Sequence, residues 1–187
     1  DRVRTEDVLT LPDAVDTNRY CLLEPTAQRV YHQLAAGLRA KLETGEVTAN
    51  NALTQLLRLA QVCNGYVPDD ATGELHQLGT EKADLLADLL DDLDQREPLV
   101  VFGRFHSDLD TIANVSASGG RVCAELSGRR NDLAAWQDGE ADVLAVQLHA
   151  GGLGVDLTRA RYQVYFAMDY NLGDYLQTRR RIHRPGQ

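Results

Sequence analysis

Cysteine is scarce in this chain and poorly spaced for a cross-link or a metal site. Cys21, Cys63 and Cys123 are odd in number and far apart, and no CxxC pair occurs. They read as buried thiols of a reducing compartment. Long apolar runs are missing too: no stretch approaches the roughly 20 residues that span a bilayer. The opening DRVRTEDVLTLPDAV lacks the apolar centre of a secretory signal. No membrane partner is expected, and the cytoplasm, or the nucleus in a eukaryote, is the expected location. Two phosphate-binding signatures are also absent, since neither GxxxxGK[ST] nor GxGxxG occurs. A self-contained nucleotide loop and a dinucleotide fold therefore find no support.

What is present is an ordinary globular composition, 43% hydrophobic and 25% charged over 187 residues, enough for one sizeable core with an appended subdomain. The net charge of −9 argues against a nucleic-acid partner until its distribution is considered. Residues 159–187 hold six arginines against Asp169 and Asp174, whereas the remainder carries 13 Lys/Arg against 26 Asp/Glu. Positive charge gathered in one segment can create a local field for phosphates. A solvated basic tail would carry the same charges.

Apolar periodicity divides the chain near residue 78. Before it, NRYCLLE (18–24) has strand composition. A helix follows with Thr26 as N-cap and Val30, Tyr31, Leu34, Leu38 and Leu42 on one stripe. Leu53, Leu56, Leu57, Ala60 and Cys63 suggest a partner helix, and GYVPDDATGE (65–74) is turn chemistry. After it, EKADLLADLLDDLDQR (81–96) is an amphipathic helix whose aspartates form a solvated face. PLVVFG (98–103), RVCAEL (121–126), DVLAVQ (142–147) and YQVYFA (162–167) are strands. Helices from Ser107, near 130–138 and over about 172–183 alternate with them, and Trp136 suits a core position. This predicts an α/β fold: a parallel sheet with helices on both faces, preceded by a mainly helical segment. Ligands in such folds sit beyond the carboxyl ends of the strands.

Two stretches reach that edge. HAGGLGVDLT (149–158) holds Gly151, Gly152 and Gly154, which permit a sharp turn or a close approach to a ligand. Asp156 either caps the turn that follows or bonds a ligand hydroxyl. In the last helix Gln177, Arg181 and Arg184 stand at i, i+4 and i+7 on one face, with Leu172, Tyr175, Leu176 and Ile182 as a roughly opposite docking stripe. Guanidinium groups so placed suit phosphate oxygens. His106 and His149 follow strand ends, but no metal-ligand spacing surrounds them.

GGLGVDLT, then DYN, then QTRRRIHRPGQ resemble motifs V, Va and VI of the Swi/Snf-type ATPases of helicase superfamily 2. The motif VI pattern Q-x-x-x-R-x-H-R-x-G-Q fits Gln177, Arg181, His183, Arg184, Gly186 and Gln187. VVFGRFHSDLDTI resembles motif IV, and LEPTAQRVYHQL and LLRLAQVCNGY resemble the segment between the family's two lobes, so the likeness runs through the whole chain. Three departures stand out. Gln147, Leu148 and His149 replace the usual opening of motif V, Tyr170-Asn171-Leu172 replaces Trp-Asn-Pro, and Gly103-Arg104 replaces Ser-Gln.

The resemblance implies a second RecA-like lobe over 79–187 and an interlobe segment over 1–78. It implies ATP and Mg2+ bound mainly by an N-terminal lobe that carries the phosphate loop and DExx box this chain lacks. Arg181 and Arg184 would be the arginine fingers of that shared site, with Gln177, Gly152, Gly154 and Asp156 also facing the nucleotide. Arg104, His106, Gln147, His149 and Arg180 would touch double-stranded DNA. The expected activity is DNA-dependent ATP hydrolysis coupled to translocation, with this chain inactive alone. An RNA helicase lobe of the same superfamily, or a non-catalytic DNA- or protein-binding lobe, are the rival readings.

Overall fold

The computed structural model describes residues 14–45, 48–151 and 154–182, apart from the side chains of 49, 151 and 180. The chain divides into two units, Tyr20–Leu85 and Leu86–Gln187, the latter with the described residues up to Arg19.

In the first unit α1 (Pro25–Thr44) packs against α2 (Ala49–Cys63). Glu24, not Thr26, is the N-cap of α1, because Pro25 fills the first helical turn, where its missing N–H loses no bond. Thr48 caps α2 by accepting from the Asn51 amide. The packed positions are Ala27 and Leu38 of α1 and Leu59 and Val62 of α2. Leu42 and Leu53, expected in the stripes, lie toward the α1–α2 connection and are exposed. NRYCLLE forms no strand: it runs without a sheet partner and leaves Tyr20, Cys21 and Leu22 exposed. Strand composition reflects fit to a pleated neighbour, and none is paired here. The stretch expected as turn alone contains a short antiparallel hairpin, β1 (Tyr66–Pro68) with β2 (Leu75–Gln77). The Asp69 carboxylate closes its turn by accepting from the Ala71 and Thr72 amides, which hold its pKa below the ordinary value.

The second unit is a four-stranded parallel sheet in the order β4-β5-β3-β6: β3 (Leu99–Gly103), β4 (Cys123–Leu126), β5 (Val143–Gln147) and β6 (Tyr162–Tyr165). All five residues of β3 are buried, as its unbroken apolar run requires. Alternation along β3 and β5 sends side chains to two cores. Val100, Phe102, Leu144 and Val146 pack with Trp136 of α5 (Leu133–Gln137) and Ile182 of α7 (Leu172–Ile182). Leu99, Val101, Val143 and Ala145 pack with Leu86 and Leu90 of α3 (Glu81–Asp91) and Leu109 and Ile112 of α4 (His106–Ser118). Each large side chain so buried contributes roughly 1.5–3 kcal/mol of transfer free energy. The aspartates Asp84, Asp88, Asp91, Asp92 and Asp94 are solvent-facing, as expected.

α3 stops at Asp91 rather than running to 96 because Arg121 terminates it. This arginine, 3% exposed, donates to the carbonyls of Leu90, Leu93, Asp94 and Glu97, groups that a helix end leaves unsatisfied.

Candidate functional site

The loops that leave the carboxyl ends of the four strands are built around one rigid turn. At the end of β3, a Cβ on Gly103 would lie 3.0 Å from the Asp108 Cβ and 3.1 Å from the Leu109 Cδ2. Glycine there lets α4 start directly against the strand. Asp108, fully buried, accepts from the backbone amides of Arg104 and Phe105 at 2.9 Å each, fixing the start of α4. Gln147, at the end of β5, ties two neighbouring loops together: its amide donates to the Arg104 carbonyl and its oxygen accepts from the Gly128 amide.

That turn aims Arg104 across the edge. Its Nη2 meets Asp169 Oδ1 at 2.8 Å, and the two side chains are only 11% and 12% exposed. The guanidinium lies over the rings of Tyr170, 5.2 Å to the centroid, and Phe105, 5.4 Å. His149, exposed on the short helix α6 (Leu148–Gly151), places Nε2 3.5 Å from the other Asp169 oxygen. Three loops, after β3, β5 and β6, thus meet at one carboxylate. Charge counting registers Asp169 only as an acid. The signal that marks it is position, since it follows a strand end as Arg104 and His149 do. His106 is exposed at the first position of α4 and takes no part in this cluster.

Beside it, after β4, Arg129 pairs with Glu125 and with Asp110, while Arg130 pairs with Asp132. Hydrogen bonds from Arg129, with a smaller contribution from Ser127, hold the Glu125 carboxyl below its ordinary pKa against the opposing effect of burial.

α7 docks through a face that keeps Tyr175 and Ile182 of the expected apolar stripe but replaces Leu172 and Leu176 with Thr178. Thr178 and Ile182 are buried, whereas Leu172 and Leu176 are 68% and 43% exposed. At about 100° per residue, Tyr175, Thr178 and Ile182 share one side. Tyr165 seats that side: its ring lies 5.1 Å from Tyr175 and its hydroxyl 2.9 Å from Thr178 Oγ1. Its tip is therefore in the docking contact, not in solvent, and burial raises its pKa. Gln177 is exposed and Arg181 half-buried, flanking the docked face. α6 packs against α7, which brings the start of the glycine-rich stretch beside this helix. Gly154 has φ +76, a left-handed value that favours glycine, with open space around it. Asp156 caps the next turn, accepting from the Thr158 amide at 3.0 Å and its hydroxyl at 2.7 Å. Gly152, His183 and Arg184 lie outside the described residues, as does the side chain of Arg180.

Leu148, Tyr165, Asp169 and Tyr175 line a shallow depression at this edge. Among the described residues, one trio of possible metal ligands converges, His149, Asp169 and Asp174. Asp169 there already faces Arg104 and His149, so the trio does not suit a magnesium ion. No described helix is long and apolar enough to cross a membrane.

Residues 81–186 match the family described as the helicase conserved C-terminal domain. An uncharacterized ATP-dependent helicase of Mycoplasma pneumoniae is 24% identical over 194 residues, covering 100% of this chain and 18% of the relative. The DNA repair and recombination protein RDH54 of Saccharomyces cerevisiae is 27% identical over 211 residues, covering 98% and 22%. The chain thus spans about a fifth of the length of these curated relatives. Among solved structures, the SWI2/SNF2 ATPase core domain of Sulfolobus solfataricus superposes with a TM-score of 0.68 at 20% identity, covering 96% of this chain and 38% of that one. The same core in complex with dsDNA gives 0.66 at 20% identity, covering 83% and 35%. The chain belongs to the helicase conserved C-terminal domain family.

Proposed function

We propose that this chain is the C-terminal lobe of a DNA-dependent ATPase that translocates on duplex DNA, with residues 1–78 linking it to an N-terminal lobe of the same protein. The observation that carries the reading is the docking of α7. Tyr175, Thr178 and Ile182 fix the helix to its own unit and leave the side with Gln177 and Arg181 at the ligand edge, next to the glycine-rich stretch. A helix anchored on one side and cationic on another suits a finger that reaches across a cleft to a nucleotide held elsewhere.

ATP with its magnesium ion, when bound, supplies the phosphoanhydride bond to be cleaved. Within this chain Arg181 and Arg184 would neutralise charge that develops on the transferring phosphoryl group, contacts that strengthen in the transition state. Gln177 would orient the same face. Gly152 and Gly154 would let the backbone approach the ligand. Asp156 would act through the turn it caps rather than by direct contact. The phosphate loop and the magnesium ligands belong to the other lobe, in keeping with the poor suitability of the His149–Asp169–Asp174 trio. DNA would follow the strand-end loops that carry Arg104, His106, Gln147 and His149, together with Arg180 of α7.

The test is ATP hydrolysis by the full-length protein with duplex DNA, single-stranded DNA and RNA. Duplex DNA should stimulate most; stimulation by RNA alone points instead to an RNA helicase lobe. Arg181→Ala and Arg184→Ala should each lower DNA-stimulated turnover by at least about a hundredfold while DNA affinity changes less than about threefold. Undiminished turnover in both variants refutes the finger assignment.

A further inference from the structure

Two nearly sealed arginines of the second unit differ in how they are satisfied. Arg121 donates to four carbonyls, and Nε alone is left without an acceptor. Among the described residues, the guanidinium of Arg104 meets a single charged partner, Asp169, and its Nη1 is shut off from solvent with no acceptor. A buried N–H without a partner is rare and calls for an explanation. The partner itself is exchangeable. Asp169 presents two anionic oxygens, one to Arg104 at 2.8 Å and one toward His149 at 3.5 Å. A phosphodiester also presents two anionic oxygens, in a geometry that guanidinium binds equally well.

We propose that Asp169 is an internal stand-in for a DNA phosphate, holding Arg104 and His149 in the free protein and giving them up to the backbone when DNA binds. The inference rests on the DNA-contacting role proposed above for those two residues. Asp169 is then a determinant of affinity that opposes binding. In the exchange Arg104 gains a diester in place of a carboxylate, and Nη1 gains an acceptor. Tyr170 covers the guanidinium and follows Asp169 directly, so release of Arg104 has to displace the 169–171 loop. That loop leads straight into α7, which carries Gln177 and Arg181. Occupation of the DNA edge is thereby communicated to the start of the finger helix.

The experiment is duplex-DNA binding by the full-length protein, followed by fluorescence anisotropy across a salt series, for wild type, Asp169→Asn, Arg104→Gln and the double variant. Asp169→Asn should tighten binding about tenfold at roughly 0.1 M salt, because the competitor is removed. Arg104→Gln should weaken binding and reduce the log–log salt slope by about 0.9, one phosphate contact. In the Arg104→Gln background, Asp169→Asn should tighten binding less than about twofold. That last arm separates release of Arg104 from the general effect of one fewer negative charge, which would persist in both backgrounds. A folded Asp169→Asn protein whose affinity is unchanged or lower makes Asp169 a strap and overturns the proposal. Should Asp169→Asn fail to fold, an unaltered salt slope in Arg104→Gln overturns it equally. If wild type shows no salt-dependent affinity for duplex DNA, the underlying DNA reading falls as well, an outcome distinct from the other two.

Discussion

Where the strands of the sheet begin, two arginines bind main chain, while Arg161 pairs with the Glu97 carboxylate. Arg121, just before β4, holds the carbonyls that end α3, and Arg159, ahead of β6, donates to the carbonyls of Trp136 and Ala141 with its guanidinium 5.0 Å from the Trp136 ring centroid. Where the strands end, arginines face carboxylates: Arg104 faces Asp169, Arg129 faces Glu125 and Asp110, and Arg130 faces Asp132. The residue type and the fold are the same, yet Arg121 and Arg159 are held differently from Arg104, Arg129 and Arg130. A backbone carbonyl is neutral and fixed by the fold, so an arginine bound to it is part of the scaffold. A carboxylate is an anion on a short tether, and another anion can take its place. This contrast supports the ligand chemistry proposed above for the carboxyl edge, where open α/β sheets generally bind their ligands.

The strongest way to break this contrast is to remove the scaffold arginine. Arg121→Met keeps the length of the stem but leaves the carbonyls of Leu90, Leu93 and Asp94 without their donor. It should lower unfolding stability by about 3 kcal/mol in a urea titration. The salt slope of DNA binding by the protein that remains folded should not change. A normal stability paired with a changed slope would reverse the roles assigned to the two edges.

A second test uses pH at the amino edge. Burial pushes the Cys123 thiol, at the start of β4, up to about 11 from an ordinary 9.0. Folding therefore favours the protonated form. The associated stability is fully present below about pH 9 and is lost as pH rises toward 11, because the unfolded chain ionises its thiol first. The loss approaches about 3 kcal/mol at its limit, since each tenfold preference for the protonated thiol is worth about 1.4 kcal/mol. The stability difference between wild type and Cys123→Ala should stay constant up to pH 9 and narrow above it. A difference that holds steady to pH 11 would show that the thiol is open to solvent in the folded protein.

The sheet was legible because its signals are redundant. PLVVFG and DVLAVQ are apolar runs that only a strand covered on both faces tolerates, and glycine- and aspartate-rich turns bound them. The first 80 residues offered weaker cues. NRYCLLE has strand composition and finds no partner, while the hairpin of β1 and β2 was hidden in residues that looked like turn alone. On α7 the spacing of Gln177 and Arg181 was readable. The docking face was readable only in part, through Tyr175 and Ile182, because its central residue is Thr178, a polar side chain whose hydroxyl is satisfied by Tyr165. Asp169 escaped for a similar reason. A carboxylate announces nothing in sequence until a long-range partner such as Arg104, 65 positions earlier, is brought beside it.

The mildest perturbation sharpens the contrast from the ligand side. Gly103→Ala sets a Cβ against Asp108 and Leu109 at 3.0–3.1 Å, close enough that α4 must give by a few tenths of an ångström. The strain should cost about 1–2 kcal/mol, less than loss of Arg121. Its effect on binding should be disproportionate, because Asp108 holds the amides of Arg104 and Phe105 and so sets the direction in which Arg104 leaves β3. A shift in α4 turns Arg104 relative to Asp169, which changes DNA affinity severalfold in an anisotropy titration while the protein stays folded. If Gly103→Ala loses stability but binds DNA as wild type does, the turn is a packing device only, and the carboxyl edge tolerates looser placement of Arg104 than an exchange between a carboxylate and a phosphate requires.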